Sequence, residues 1–202
     1  ISKDYEILKI IRWAMWCKGY KGGNINSTIY GDGSFLLGLH QLQKDAGLCP
    51  SNDIDFYTLK SIFSMDAYVL IEGTEGDPII REMQQKMNPI TYKYCGISPC
   101  DGLPQQKLNT QIFWYIQYLS KNQGDLDGCF GPTTLKNFQE LLTSRNKEAV
   151  SVLQLLLRCN GYKAKITGQI DEETLKQIRR FKVLMNLDDP MNNDPSHLAV
   201  KN

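Results

Sequence analysis

The feature that most constrains this chain is that it repeats itself. Leu8 to Lys21 aligns with Val150 to Lys163 at a constant offset of 142 residues, without a gap. Apolar residues coincide at Leu8 and Val150, Ile10 and Val152, Ile11 and Leu153, and Met15 and Leu157. Both copies then read Cys-x-Gly-Tyr-Lys, starting at Cys17 and Cys159. A weaker middle copy runs Ile80 to Met87, where Met83-Gln84 matches Leu153-Gln154. Repetition at fixed spacing points to an array of small units that bury their apolar faces against one another.

The periodicity says what each copy is. Val150, Leu153 and Leu157, like Ile80, Met83 and Met87, form one stripe of an amphipathic helix. Gly19 and Gly161 stand where a glycine ends a helix, and Pro89 is expected to end the middle one. A second helix follows in each copy. It is carried by Phe35, Leu39 and Leu42, by Leu108 and Ile112, and by Leu175, Ile178 and Phe181 after the N-cap Asp171. A third helix closes two copies, over Asp53 to Phe63 and Asp127 to Phe138. In the third copy it should lie near 188–198, where Pro190 and Pro195 weaken it. Little strand signal exists. The expected fold is all-α, in three tandem three-helix units over 1–72, 77–143 and 147–202, joined by polar linkers.

Composition narrows function by exclusion. Lys plus Arg total 23 against 22 for Asp plus Glu, a net charge of +1, so no basic excess invites nucleic acid. With His40 and His197 as the only histidines, zinc hydrolysis and triad chemistry are poorly supplied. No apolar run is long enough to span a membrane. The chain begins at Ile1 and reads as a processed product or excised fragment, with any export signal lying outside it. Six cysteines include no Cys-x-x-Cys pair. Cys95 and Cys100 could bridge across a loop, but most are expected to be small buried hydrophobes, Cys17 and Cys159 among them.

These residues resemble the peptidoglycan-binding-like repeat, a small three-helix bacterial module. Val150, Leu153, Gln154, Leu157, Gly161 and Tyr162 fit its first helix and turn. Asp127, Gly128, Phe130, Gly131 and Thr134, then Phe138-Gln139, fit its second half. Tyr30-Gly31 and Leu42 to Leu48 fit in the first copy. Trp13 to Gly23 and Ser64 to Leu70 look closer to repeats that accompany a glycoside-hydrolase-like domain in cell-wall proteins of Gram-positive bacteria and their phages. Departures exist: Ser27-Thr28 replaces Asp-Gly in the first copy, and Thr91-Tyr92 replaces Gly-Tyr in the middle one. The resemblance implies an extracellular, wall-located or phage-encoded binding region.

The acidic and aromatic residues each admit a chemical and a packing role. Asp53, Asp55, Asp101, Asp125, Asp127, Asp171 and Glu172 could serve a two-carboxylate hydrolase. Each sits in a turn before a helix, however, where a carboxylate caps amides. His40 reads as packing or surface rather than as a base. No phosphate loop or full calcium loop occurs, and neither metal nor cofactor is implied. A binding surface remains. Tyrosine offers a stacking face and a polar tip. The candidate ligand-binding residues are Tyr20, Asn24 and Tyr30 in the first unit, Tyr92 and Tyr94 in the second, and Tyr162 and Gln169 in the third. Trp13, Trp16 and Trp114 are expected in packing, as are Tyr20 and Tyr162 in the competing reading. The expected partner is peptidoglycan or an attached wall polymer, bound by a monomer beside a fused or associated hydrolase. The alternatives are a protein-interaction or spacer module without a glycan site, and a small cell-wall glycoside hydrolase.

Overall fold

A computed structural model describes residues 5–70, 73, 76–120 and 126–185. Among them are eight α-helices and no strand. The chain divides into two compact units, Ile1–Leu103 and Pro104–Asn202. The first holds α1 (Tyr5–Cys17), α2 (Gly33–Asp45), α3 (Phe56–Phe63) and α4 (Pro78–Cys95). The second holds α5 (Gln106–Leu119), α6 (Pro132–Thr143), α7 (Lys147–Cys159) and α8 (Glu172–Leu184). The closing helix expected near 188–198 lies outside the described residues.

The helices start and stop for local reasons. Asp32, Asp55 and Asp171 each accept from a backbone N–H of the first turn, those of Phe35, Thr58 and Thr174 at 2.7–2.9 Å. At the end of α1, Tyr20 N–H donates to Met15 O and Gly19 N–H to Trp16 O. At the end of α7, Tyr162 N–H donates to Leu157 O and Gly161 N–H to Arg158 O. Both glycines stand at φ +83°, the left-handed residue that this paired ending requires.

The middle copy behaves differently from expectation. Pro89 does not end its helix: α4 runs through it to Cys95. Proline cannot donate to the Gln85 carbonyl one turn back, and the backbone of Gly47 packs closely on Gln85. Met87, Asn88 and Thr91, on both sides of the proline, are buried. Asn88 Nδ2 donates to Ala46 O at 2.8 Å and Ser98 O at 2.9 Å, and its Oδ1 accepts from Ser98 N–H. Tertiary packing here outweighs a local cost of ~3 kcal/mol.

The core of the first unit gathers Leu8, Ile11, Met15, Tyr20, Phe35, Leu39, Leu42, Ile54 and Ile62. A smaller cluster joins Ala46, Tyr68 and Cys100. In the second unit α7 packs on α5, α6 and α8, and buries residues all round its surface.

Two packing expectations fail. Trp13 and Trp16 are exposed, because the inward stripe of α1 is Leu8, Ile11, Arg12 and Met15. Of the cysteines only Cys100 is buried. Cys17, Cys49 and Cys129 are exposed, and no disulfide joins any of the six. Cys17 falls on the last turn of α1, away from its core stripe. Burial pushes the Cys100 thiol up to about 12.

Candidate functional site

The turns that could carry a ligand are held by one recurrent device. A buried side chain on the preceding helix clamps the main chain of the turn that leads to the next. Gln154 of α7 accepts from Thr167 and Gly168 N–H, both at 2.9 Å, and donates to Gln169 O and Thr174 Oγ1. Gln117 of α5 accepts from Gly128 N–H and donates to Asp127 Oδ1 and Cys129 O. Gln84 of α4 accepts from Gly102 N–H and donates to Asp101 Oδ1. Gln43 of α2 accepts from Ser51 N–H and donates to Asp53 O. In α1 the position belongs to Arg12, fully buried, which donates to Gly22 O and Ile29 O and pairs with Asp32.

One concavity lies in the first unit, on the turn held by Gln43. It encloses about 420 Å³, and its walls include Ser51, Asp53, Asp55, Thr58, Pro89 and Tyr92. The turn is braced from behind, since Tyr30 Oη donates to Asn52 O at 2.6 Å and His40 Nε2 meets Asn52 Oδ1 at 2.9 Å. Tyr92 supplies a ring to the wall of the concavity, and two further rings adjoin Tyr92 in series. Phe56 meets Tyr57 edge-on at 5.5 Å, and Tyr57 meets Tyr92 edge-on at 4.7 Å. Phe56 is largely exposed. The arrangement offers ring faces beside carboxylates, a hydroxyl and an amide. A second cleft of about 430 Å³, between the end of α1 and residues 62–69, is mostly apolar.

The sequence-chosen residues do not meet in one place. Tyr92 is in the wall of the first cleft and Tyr30 braces its turn. Tyr20 is buried, and its hydroxyl donates to Asp45 at 3.1 Å. Burial, reinforced by that carboxylate, raises its pKa. A ring so enclosed offers no face to a sugar, so Tyr20 belongs to the core. Asn24 is exposed, with its Oδ1 accepting from Asn26 N–H. Tyr94 is exposed near the end of α4. Tyr162 is half-buried, edge-on to Phe181 at 5.9 Å, and Gln169 is exposed in the turn clamped by Gln154.

The carboxylates mostly have structural work. Asp55 and Asp171 cap helices. Asp101 and Asp127 each accept from the backbone N–H two residues on. The hydrogen bonds from Gln117 and Cys129 hold the Asp127 carboxyl below its usual range. Those of Thr174 do the same for Asp171. Asp125 lies outside the described residues. Among the described residues no group of three His, Cys, Asp or Glu could hold a metal ion, and no helix is long and apolar enough to cross a membrane.

Sequence inspection passed over Phe56 and Tyr57 as site residues, reading them only as part of the third helix. Their adjacency just after the cap Asp55 was the available signal. It also passed over the clamp, although an apolar residue precedes the clamping side chain every time: Ile11-Arg12, Leu42-Gln43, Met83-Gln84, Ile116-Gln117 and Leu153-Gln154.

No family model and no solved structure matches the chain. It is similar to two uncharacterized proteins of Bacillus subtilis (strain 168). Uncharacterized protein FadG is 28% identical over 189 residues, which is 90% of this chain and 32% of that protein. Uncharacterized protein YbfG is 30% identical over 166 residues, 79% of this chain and 22% of that protein. The chain therefore spans about a third or less of the length of these curated relatives.

Proposed function

We propose that this chain is a cell-wall-binding region built from tandem three-helix, peptidoglycan-binding-like repeats, which holds a linked hydrolase at its insoluble substrate. The observation that carries the reading is the cleft beside Tyr92, with its adjoining Tyr57 and Phe56 rings. Sugars are held by aromatic faces and by hydrogen bonds to amides, hydroxyls and carboxylates. Gln43 fixes the turn that presents Ser51, Asp53 and Asp55, so the polar groups are arranged before any ligand arrives. The near-neutral chain suits an uncharged glycan better than a polyanion. Weak sites in tandem would add by raising effective concentration. The chain itself would do no chemistry, since its turn aspartates are largely occupied as caps and braces.

The test is sedimentation with purified sacculi. The chain should be retained, and Tyr92→Ala should lower retention by about tenfold, the loss of ~1–1.5 kcal/mol from one aromatic contact. Absence of retention by the unmodified chain refutes the reading. Clearing of a sacculus suspension by the chain alone would favour the hydrolase. The reading of the chain as an interaction module draws on a different observation, the apolar outer face of α1.

A further inference from the structure

The 142-residue offset carries α1 onto α7 end to end, Tyr5–Cys17 onto Lys147–Cys159. The two copies of this helix are covered differently. Leu8, Ile11 and Met15 are buried, as are Val150, Leu153 and Leu157 at the same positions. The other side diverges. Ile7, Ile10 and Trp13 are 41%, 55% and 60% exposed, whereas their equivalents Ala149, Val152 and Leu155 are wholly buried. The neighbours explain it. α1 packs on α2 and α3, whereas α7 packs on α8 and also on α5 and α6. Glu6 matches Glu148, whose carboxylate accepts from Tyr115 Oη of α5 at 3.0 Å. The first copy thus keeps the apolar stripe and the acidic residue through which its twin is covered by a helix pair.

We propose that the outer face of α1 is a docking surface for a further helix pair of the α5–α6 kind, supplied by the same polypeptide on the N-terminal side of α1. In the second unit the residues from Ser144 to Asn146 suffice to bring α6 onto α7, so the occupant needs only a short turn to reach the stripe. Ile7, Ile10 and Trp13 would sit against its apolar ridge as Ala149, Val152 and Leu155 do in the second unit. Glu6 would accept from a hydroxyl placed like that of Tyr115.

The experiment adds a copy of residues 104–146 directly ahead of Tyr5 in the otherwise full chain. Trp16→Phe and Trp114→Phe, the latter in both copies, leave Trp13 as the sole indole. The docked pair should add helical ellipticity, shift Trp13 emission to the blue and lower its acrylamide quenching severalfold. Ile10→Lys should reverse both Trp13 signals. Failure of the added segment to become helical overturns the proposal, as does added helix with Trp13 quenched as in the ungrafted chain. A dimer of the ungrafted chain that Ile10→Lys dissolves would assign the face to a second copy and overturn it too.

Discussion

Arg12 and Gln154 occupy the same place in the repeat and do the same job with different chemistry. Both are fully buried and both fix the turn that follows their helix. Gln154 is neutral and meets donors and acceptors at once, so its amide closes the turn in both directions. Arg12 can only donate. Its turn therefore presents carbonyls, of Gly22 and Ile29, and a counter-charge, Asp32. Asp32 is also the N-cap of α2. The difference teaches that the repeat preserves the position of the clamp and lets its partners co-vary. A buried guanidinium is tolerated only because carbonyls and a carboxylate converge on it.

The comparison breaks most violently at Asp32. Asp32→Ala should destabilise the first unit by about 3–5 kcal/mol, because it strands a buried cation as well as uncapping a helix. Urea unfolding followed by tryptophan fluorescence reads the loss, and a change below about 1 kcal/mol would mean Arg12 is not held as described. Gln154→Ala should cost less, ~2–3 kcal/mol, since it leaves neutral buried amides of Thr167 and Gly168 unsatisfied but no charge. Unchanged stability in the same assay would reduce the clamp to a coincidence of geometry.

Arg145 sharpens the comparison at the turn that leads into α7. It holds φ +54°, a left-handed conformation that favours glycine. Arg145→Gly should raise the stability of the second unit by ~0.5–1 kcal/mol, visible as a higher thermal midpoint. The smallest effect concerns Asp171, the cap of α8. Its folded pKa lies below the usual 3.8, chiefly through the Thr174 hydroxyl. The ionised cap therefore adds stability above pH 3.8, and that contribution is lost as pH falls further. Asp171→Asn should flatten the acid limb of the stability curve slightly and leave the neutral region nearly unchanged.

Much of the helix content was legible in the sequence, because apolar periodicity and caps are local. Asp55, Asp171, Gly19 and Gly161 acted as their neighbours suggest. Pro89 did not, since α4 is held on both sides of it by buried Met87 and Thr91 and by the bonds of Asn88 to Ala46 and Ser98, both outside the helix. Tyr92 could be chosen by chemistry and did reach a cleft, whereas Tyr20 could be chosen by the same rule and went to the core. The rule sees a ring and a hydroxyl, but burial depends on Asp45 from another helix. Trp13 and Trp16 failed in the opposite sense. A large ring is usually packed, and here the helix face that bears Ile7, Ile10 and Trp13 is left largely exposed.

The clamp has a consequence for how such a chain can diversify. Most of the atoms that Gln43, Gln84, Gln117 and Gln154 grip belong to the main chain. The tripeptides at the four turns accordingly differ: Ser51-Asn52-Asp53, Asp101-Gly102-Leu103, Asp127-Gly128-Cys129 and Thr167-Gly168-Gln169. In the three glycine-centred turns the clamp also takes the side chain of the first residue, Asp101, Asp127 or Thr167, and the glycine stands at φ +70° to +75°, so the third position is the one left open to rewriting without renegotiating the fold beneath.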